Sequence, residues 1–166
     1  MAELAPPDFR LYTSRSGPAA IGGRLRRLSE RIDRDAGKLY AELGVRFEQR
    51  WFGVFNLLDL HGPLPVGELA AALGVSHVSV SQVRQALADA GLITWERDAR
   101  DGRSRVLRLT GEGAELAARL APVWRALAAA AVDLNAEADD ALAGLERLET
   151  ALDRASILER AKRLLE

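Results

Sequence analysis

Apolar residues recur at helical spacing along most of this chain, interrupted by a few glycines and prolines and by one arginine-rich stretch. Residues 1–20, with Pro6, Pro7 and Pro18, read as an irregular arm. Ile21, Leu25, Leu28, Ile32, Leu39 and Leu43 keep a heptad-like stripe, which predicts a long helix beginning near residues 21–24. Gly44 ends or bends it. A second helix is predicted over 47–60, followed by a loop, His61-Gly62-Pro63-Leu64-Pro65. Residues 66–73 form a short apolar helix, Gly74-Val75-Ser76 a tight turn, and residues 77–90 a further helix stopped by Gly91. Residues 92–97 and 105–109 are strand candidates. Thr110 can cap a helix carrying Leu116, Leu120, Val123, Trp124 and Leu127, which Pro122 must kink or divide. Residues 133–140 are acidic and read as irregular, with Asn135 a candidate N-cap. A last helix over 136–165 carries Leu142, Leu145, Leu148, Leu152, Ala155, Leu158, Ala161 and Leu165. At 1.5 Å per residue it would reach about 45 Å, too long for a small lobe to cover. Apolar stripes near both ends of the chain therefore predict a helical interface between two copies.

The two short helices around Gly74 have the helix-turn-helix form, in which the second helix enters the DNA major groove. Gly74 can end the first helix at positive φ, Val75 is expected to pin the turn to the core, and Ser76 can cap the second helix or reach a phosphate. Val80, Val83 and Leu87 should face Leu69, Ala70 and Leu73. The other face holds His77, Ser79, Ser81, Gln82, Arg84 and Gln85. Gln can pair with adenine, Arg with guanine and Ser with either kind of group. A merely solvated helix face would carry Glu and Lys, and neither occurs between Ser76 and Leu87. Between the strand candidates lies Asp98-Ala99-Arg100-Asp101-Gly102-Arg103-Ser104, whose Asp-Gly pair signals a hairpin. With Arg97, Arg105 and Arg108 flanking it, this hairpin reads as a wing whose arginines enter a minor groove. A charged surface hairpin is the plainer alternative.

The run 62–110 resembles the MarR family of bacterial winged-helix regulators. The resemblance rests on G-P-L-P-V-G-E-L-A from Gly62, L-G-V-S ending at Ser76, V-S-Q-V from Val80, A-G-L-I ending at Ile93, D-A-R-D-G-R from Asp98 and L-R-L-T-G-E-G ending at Gly113. It implies a mainly α fold with a small β-hairpin wing and long terminal dimerisation helices. On that layout residues 21–45 and 111–166 form the helical dimerisation region, and residues 46–110 the winged helix-turn-helix DNA-binding lobe. It further implies a two-fold homodimer, with Asp98 and Arg100 bracing the wing or its phosphate contacts, and Arg103 at the wing tip. Family members bind effectors in a crevice between their lobes, which keeps a pocket reading open for the aromatic stretch below.

Five of the nine aromatic residues fall between Tyr40 and Phe55: Tyr40, Phe47, Trp51, Phe52 and Phe55. Core packing is their commoner use and is preferred here. The sharper reading is the wall of a small-molecule effector pocket, with Arg46 or Arg50 anchoring an anion and Trp124 contributing from the later helix.

Composition narrows the rest. The 166 residues are 48% hydrophobic and 28% charged, ordinary for a globular protein, and can bury a sizeable core. A net charge of −1 requires a DNA binder to segregate its cations, as the wing arginines do. The charged face of the first long helix mixes Arg24, Arg27 and Arg31 with Glu30 and Asp33 and reads as solvated. Cysteine is absent, which removes disulfides and thiolate chemistry. His61 and His77 lack partners at ligand spacing, so neither a metal nor a cofactor is expected. The first residues lack a basic leader followed by an apolar segment and no apolar run would span a membrane, so a cytoplasmic location is expected. No phosphate loop or nucleophile–base pair stands out, so the chain is not read as an enzyme. The expected function is a dimeric, sequence-specific regulator of transcription that binds double-stranded DNA, of repressor type, reading a pseudo-palindromic operator and released by a small-molecule effector. The alternative is a winged-helix adaptor that contacts protein instead.

Overall fold

The computed structural model describes residues 17–97 and 105–166. After a 3-10 turn at Gly17–Ala20 come helix α1 (Ile21–Glu42), a 3-10 turn at Gln49–Trp51, α2 (Phe52–His61), strand β1 (Leu64–Pro65), α3 (Val66–Leu73) and α4 (His77–Asp89). Strands β2 (Ile93–Arg97) and β3 (Arg105–Leu109) follow, then α5 (Gly111–Glu137), α6 (Ala141–Arg154) and α7 (Ile157–Leu165). The chain divides into two compact units, one ending at Ala117 and the other Ala118–Glu166. Helix α1 falls in the first, together with the winged region.

In the first unit, strand order is β1-β3-β2, all antiparallel. Ile93 lies opposite Leu109 and Trp95 opposite Leu107, so strand alternation sends one face inward. Ile93 and Leu107 are buried, as are Phe55, Leu58, Leu69, Val80 and Leu87 from α2, α3 and α4. These side chains form the core that holds α4 against the sheet. A Cβ on Gly53 would stand 2.8 Å from Leu73 Cδ2, so that glycine lets α2 and α3 approach closely.

Only Ala36 and Tyr40 of α1 are buried. Its stripe, Ile21, Leu25, Leu28 and Ile32, is 38–55% exposed in the single chain. The second unit shows the same surplus, with Leu142, Leu145, Leu152, Ile157, Leu158, Leu164 and Leu165 all exposed.

Several expectations need correction. Leu64 and Pro65, read as loop, pair with Leu107 and Val106 as β1, because β3 offers a free edge to the passing chain. The helix expected over 47–60 begins later. Glu48 is extended, the Gln49–Trp51 turn follows, and α2 starts only at Phe52. Val75 is 44% exposed and does not pin the turn. Backbone bonds do that instead. Helix α5 runs through Pro122 without dividing and takes in Asp133 and Asn135, so residues 133–140 are not an irregular stretch. The reversal is confined to its end, where Asp139 and Asp140 sit at φ 51° and 58°. Asp tolerates this left-handed region better than most residues. Asn135 serves the next helix from within the previous one. Its Oδ1 accepts from the Leu142 N–H (2.8 Å) and its Nδ2 donates to Asp140 Oδ1 (3.0 Å), while Asp140 itself caps α6.

The final helix is also two helices. The chain extends at Ala155, and Ser156 starts α7 with a capping box: the Glu159 N–H donates to Ser156 Oγ and the Ser156 N–H to Glu159 Oε2. The apolar stripe continues across the break, so periodicity alone hides it. The Ser-x-x-Glu pattern marks it.

Candidate nucleic-acid interface

The turn between α3 and α4 is closed by the Val75 N–H donating to the Ala70 carbonyl (3.0 Å) and the Gly74 N–H to that of Ala71 (3.3 Å). With Gly74 at φ 63°, this is a Schellman closure, and a side chain there would be strained. Ser76 then starts α4. Its Oγ accepts from the Ser79 N–H at 3.1 Å and pairs with the Ser79 hydroxyl at 2.9 Å. Of the two sequence readings for Ser76, this is the cap.

Val80 and Leu87 bury against Leu69 and Ala70, which turns the opposite face of α4 outward. His77, Ser81, Gln82, Arg84 and Gln85, with Val78, line one shallow surface recess of about 430 Å³. A Cβ on Gly67 would be 3.5 Å from His77 Cε1, so the imidazole leans over the start of α3. Gln85 Nε2 donates to Asp89 Oδ1 (2.7 Å), which steadies that amide along the helix. Gln82 stands exposed beside it. Sequence reasoning passed over Val78, which is 66% exposed amid this polar face. A thymine methyl is the base group such a side chain suits.

The wing root adjoins α4. Thr110 Oγ1 donates to the Gly91 carbonyl (2.7 Å) and accepts from the Gly113 N–H (3.0 Å), while the Thr110 N–H donates to the Leu92 carbonyl (3.0 Å). One threonine thus ties the turn that follows α4, the start of β2 and the first turn of α5. On the strands, Arg108 is ion-paired with Glu96. Trp95, 40% exposed, has the Arg105 guanidinium carbon 4.0 Å and that of Arg84 5.6 Å from its ring centroid. Trp95 is the second residue that sequence reasoning missed. Its signal was an aromatic two positions after Ile93, on the same strand face. Of the proposed wing residues, Arg105 lies at the start of β3, whereas Asp98, Arg100 and Arg103 lie outside the described residues.

The aromatic group named in the sequence packs within the first unit. Phe47 meets Tyr40, Trp51 and Phe55 edge-on, with centroids 5.2, 5.6 and 5.3 Å apart. The Tyr40 hydroxyl donates to Gln49 Oε1 (2.6 Å). All four rings are buried, which is how a core uses them. The buried Trp51 Nε1 has no acceptor. Arg50 pairs with Glu48 (2.6 Å), Arg46 is exposed, and Trp124 belongs to the second unit. Among the described residues no three His, Cys, Asp or Glu side chains gather as a metal site would need, and no helix is long and apolar enough to cross a membrane.

Residues 43–104 match the sequence profile of the MarR family. No curated protein sequence matches the chain. Among solved structures, that of the S. aureus MepR–DNA complex is 20% identical, with 80% of this chain and 97% of that chain covered and a TM-score of 0.66. The Bordetella bronchiseptica BpsR structure, described for regulation of DNA binding by 6-hydroxynicotinic acid, is 20% identical, with 88% and 98% covered and a TM-score of 0.62. The PcaV transcriptional regulator from Streptomyces coelicolor, in complex with its natural ligand, is 21% identical, with 92% and 99% covered and a TM-score of 0.61. The chain is similar to these in fold, a mainly helical winged helix with a small antiparallel sheet.

Proposed function

We propose, on the premise that residues 43–104 are a MarR-family segment set in that family's winged-helix fold, that this chain regulates transcription by binding double-stranded DNA. The observation that carries the reading is the outward face of α4. It offers hydrogen-bonding groups of His77, Ser81, Gln82, Arg84 and Gln85 in one recess, on a helix fixed to the core by its other side. Ser76 and Ser79 stand at its N-terminal end, suited to phosphate or sugar contact beyond the cap they make. Arg105, with Asp98, Arg100 and Arg103, supplies the wing.

The exposed stripes of α1, α6 and α7 support a homodimer, since so much apolar surface on one chain asks for a partner. A two-fold dimer reads a pseudo-palindromic operator, with recognition helices roughly 34–36 Å apart. It acts as a repressor by occupying that site. Release by a small-molecule effector is the remaining part of the reading. The structures similar in fold include one described with its natural ligand, and the buried Trp51 Nε1 is unpaired next to Phe47. Arg46 is the better anion anchor of the two, because Arg50 already holds Glu48. Such an effector shifts affinity only by favouring one spacing of the two recognition helices over another.

Selection of duplexes from a random pool, followed by mobility shifts with Gln82→Ala, tests the reading. Loss of roughly 1–3 kcal/mol at one base position is expected. An equal loss on every sequence contradicts base reading by this helix.

A further inference from the structure

The junction of α4 and the wing strands contains a charge arrangement that folding alone does not favour. Arg97 of β2 stands directly opposite Arg105 of β3. Like charges facing each other across strands destabilise the pair. Arg105 and Arg84 also approach the same Trp95 ring, at 4.0 and 5.6 Å. Neighbouring Arg108 is neutralised by Glu96, whereas neither Arg84 nor Arg105 has a carboxylate partner among the described residues. The ring attracts each guanidinium through its negative face but supplies no counter-charge. Two cations therefore meet at one half-exposed indole, Arg84 from α4 and Arg105 from β3, and a third, Arg97, stands opposite Arg105 on the neighbouring strand.

From this convergence we infer that Arg84, Trp95 and Arg105 form a phosphate clamp, in which the indole holds both guanidiniums ready for a DNA backbone phosphate at the seam between recognition helix and wing. The inference rests on the DNA-binding reading and changes one part of it. Arg84 leaves the base-reading set and becomes a backbone contact. A phosphodiester fits because it is the anion present wherever α4 meets a duplex, and it relieves the repulsion that the free protein tolerates. Arginine forks also match phosphate geometry. Trp95 is here a positioning residue. Its contribution is to hold Arg84 and Arg105 at one place, so that α4 and the wing engage the backbone together.

The test uses the full chain and a mixed-sequence 25-base-pair duplex of fixed composition, titrated from low to high salt. The slope of log affinity against log salt should fall in part for Arg84→Gln and in part for Arg105→Gln, and by about one per bound chain when the two are combined, the value of one neutralised phosphate. Trp95→Leu should weaken binding about two- to fivefold, the equivalent of an exposed cation–π contact, and Trp95→Phe should restore most of it. On a background carrying both Arg84→Gln and Arg105→Gln, Trp95→Leu should cost little more, because the two side chains it positions are already gone. Arg105→Gln alters an exposed side chain and Arg84→Gln a half-buried one outside the core, so both remain informative even where Trp95→Leu unfolds the chain. Unchanged slopes for Arg84→Gln and Arg105→Gln, with the wild type still binding, overturn the clamp alone. So does an Arg84→Gln defect confined to one base pair of a selected site. A wild-type protein that ignores the duplex at every salt concentration overturns the DNA reading and the clamp with it.

Discussion

Gly113→Ala puts one methyl group where the wing root has no room. A Cβ at this position would lie 2.1 Å from the Leu92 carbonyl oxygen and 3.4 Å from Leu109 Cβ. The first is far inside contact distance and involves backbone, which a rotamer change cannot relieve. Either α5 or the Leu92 peptide must move, and that peptide oxygen also accepts the Thr110 N–H. Forcing a methyl into a packed site costs about 1–3 kcal/mol. Losing one backbone hydrogen bond adds about 1 kcal/mol, and the better helix propensity of alanine returns about 1 kcal/mol. The net expectation is about 2 kcal/mol of destabilisation. In urea denaturation at fixed protein concentration this lowers the midpoint by about 1 M, for a slope near 2 kcal/mol/M. Gly111→Ala is the control, because a Cβ there meets nothing within 4 Å. It should stay within about 0.5 kcal/mol of the wild type, the usual range for a surface change. Amide exchange over residues 91–95 should accelerate in Gly113→Ala beyond the global effect, since Gly91 and Leu92 are bonded through Thr110 to this turn. A Gly113→Ala protein as stable as Gly111→Ala would refute the steric argument and the account of the wing root with it.

Three further outcomes are expected. Ser76→Ala removes the cap of α4 and should cost about 1 kcal/mol in thermal unfolding, whereas Ser76→Asp keeps the cap but should weaken DNA binding in a mobility shift by placing a carboxylate near phosphate. Equal stability loss in both would contradict the cap, and unchanged binding by Ser76→Asp would separate this serine from the proposed interface. Arg103→Ala should lower the salt slope of DNA binding by about one phosphate contact, and an identical salt titration would remove Arg103 from the wing contacts. The third concerns pH. Hydrogen bonds from the Ser156 N–H and hydroxyl hold the Glu159 carboxyl below its ordinary range. A depressed folded-state value means the capping contribution is present above the unfolded value and is lost as pH falls through the folded one. Helix α7 should therefore fray on acidification at the low end of the carboxylate range, as the Ser156 amide resonance would report. The Glu159→Gln variant, uncharged throughout, should not show that step.

Local chemistry carried most of what the sequence revealed. Gly74, Ser76, Gly91 and Thr110 each act on their own neighbours, so the helix-turn-helix and the cap of α5 are legible in the sequence alone. Strand β1 escaped notice because two residues have no period of their own and pair only once β3 is present. Pro122 left two outcomes open, since a missing N–H does not say whether the surrounding helix tolerates it. The division at Ser156 lay in plain view as Ser-x-x-Glu, but an unbroken leucine stripe outweighed it. At the candidate site, the polar face of α4 was legible because helical spacing gathers its residues. Trp95 was not, because its meaning depends on Arg84, which is distant in sequence and adjacent only across the fold.

The most direct test of the account is the mass of the complex formed with a duplex selected from random sequence, measured by analytical ultracentrifugation alongside the free protein. Two chains on one duplex that carries an inverted repeat, with half-site centres about 10 base pairs apart, is the expected result. A single chain bound to an unrepeated site, or a monomer that selects no sequence, would contradict it.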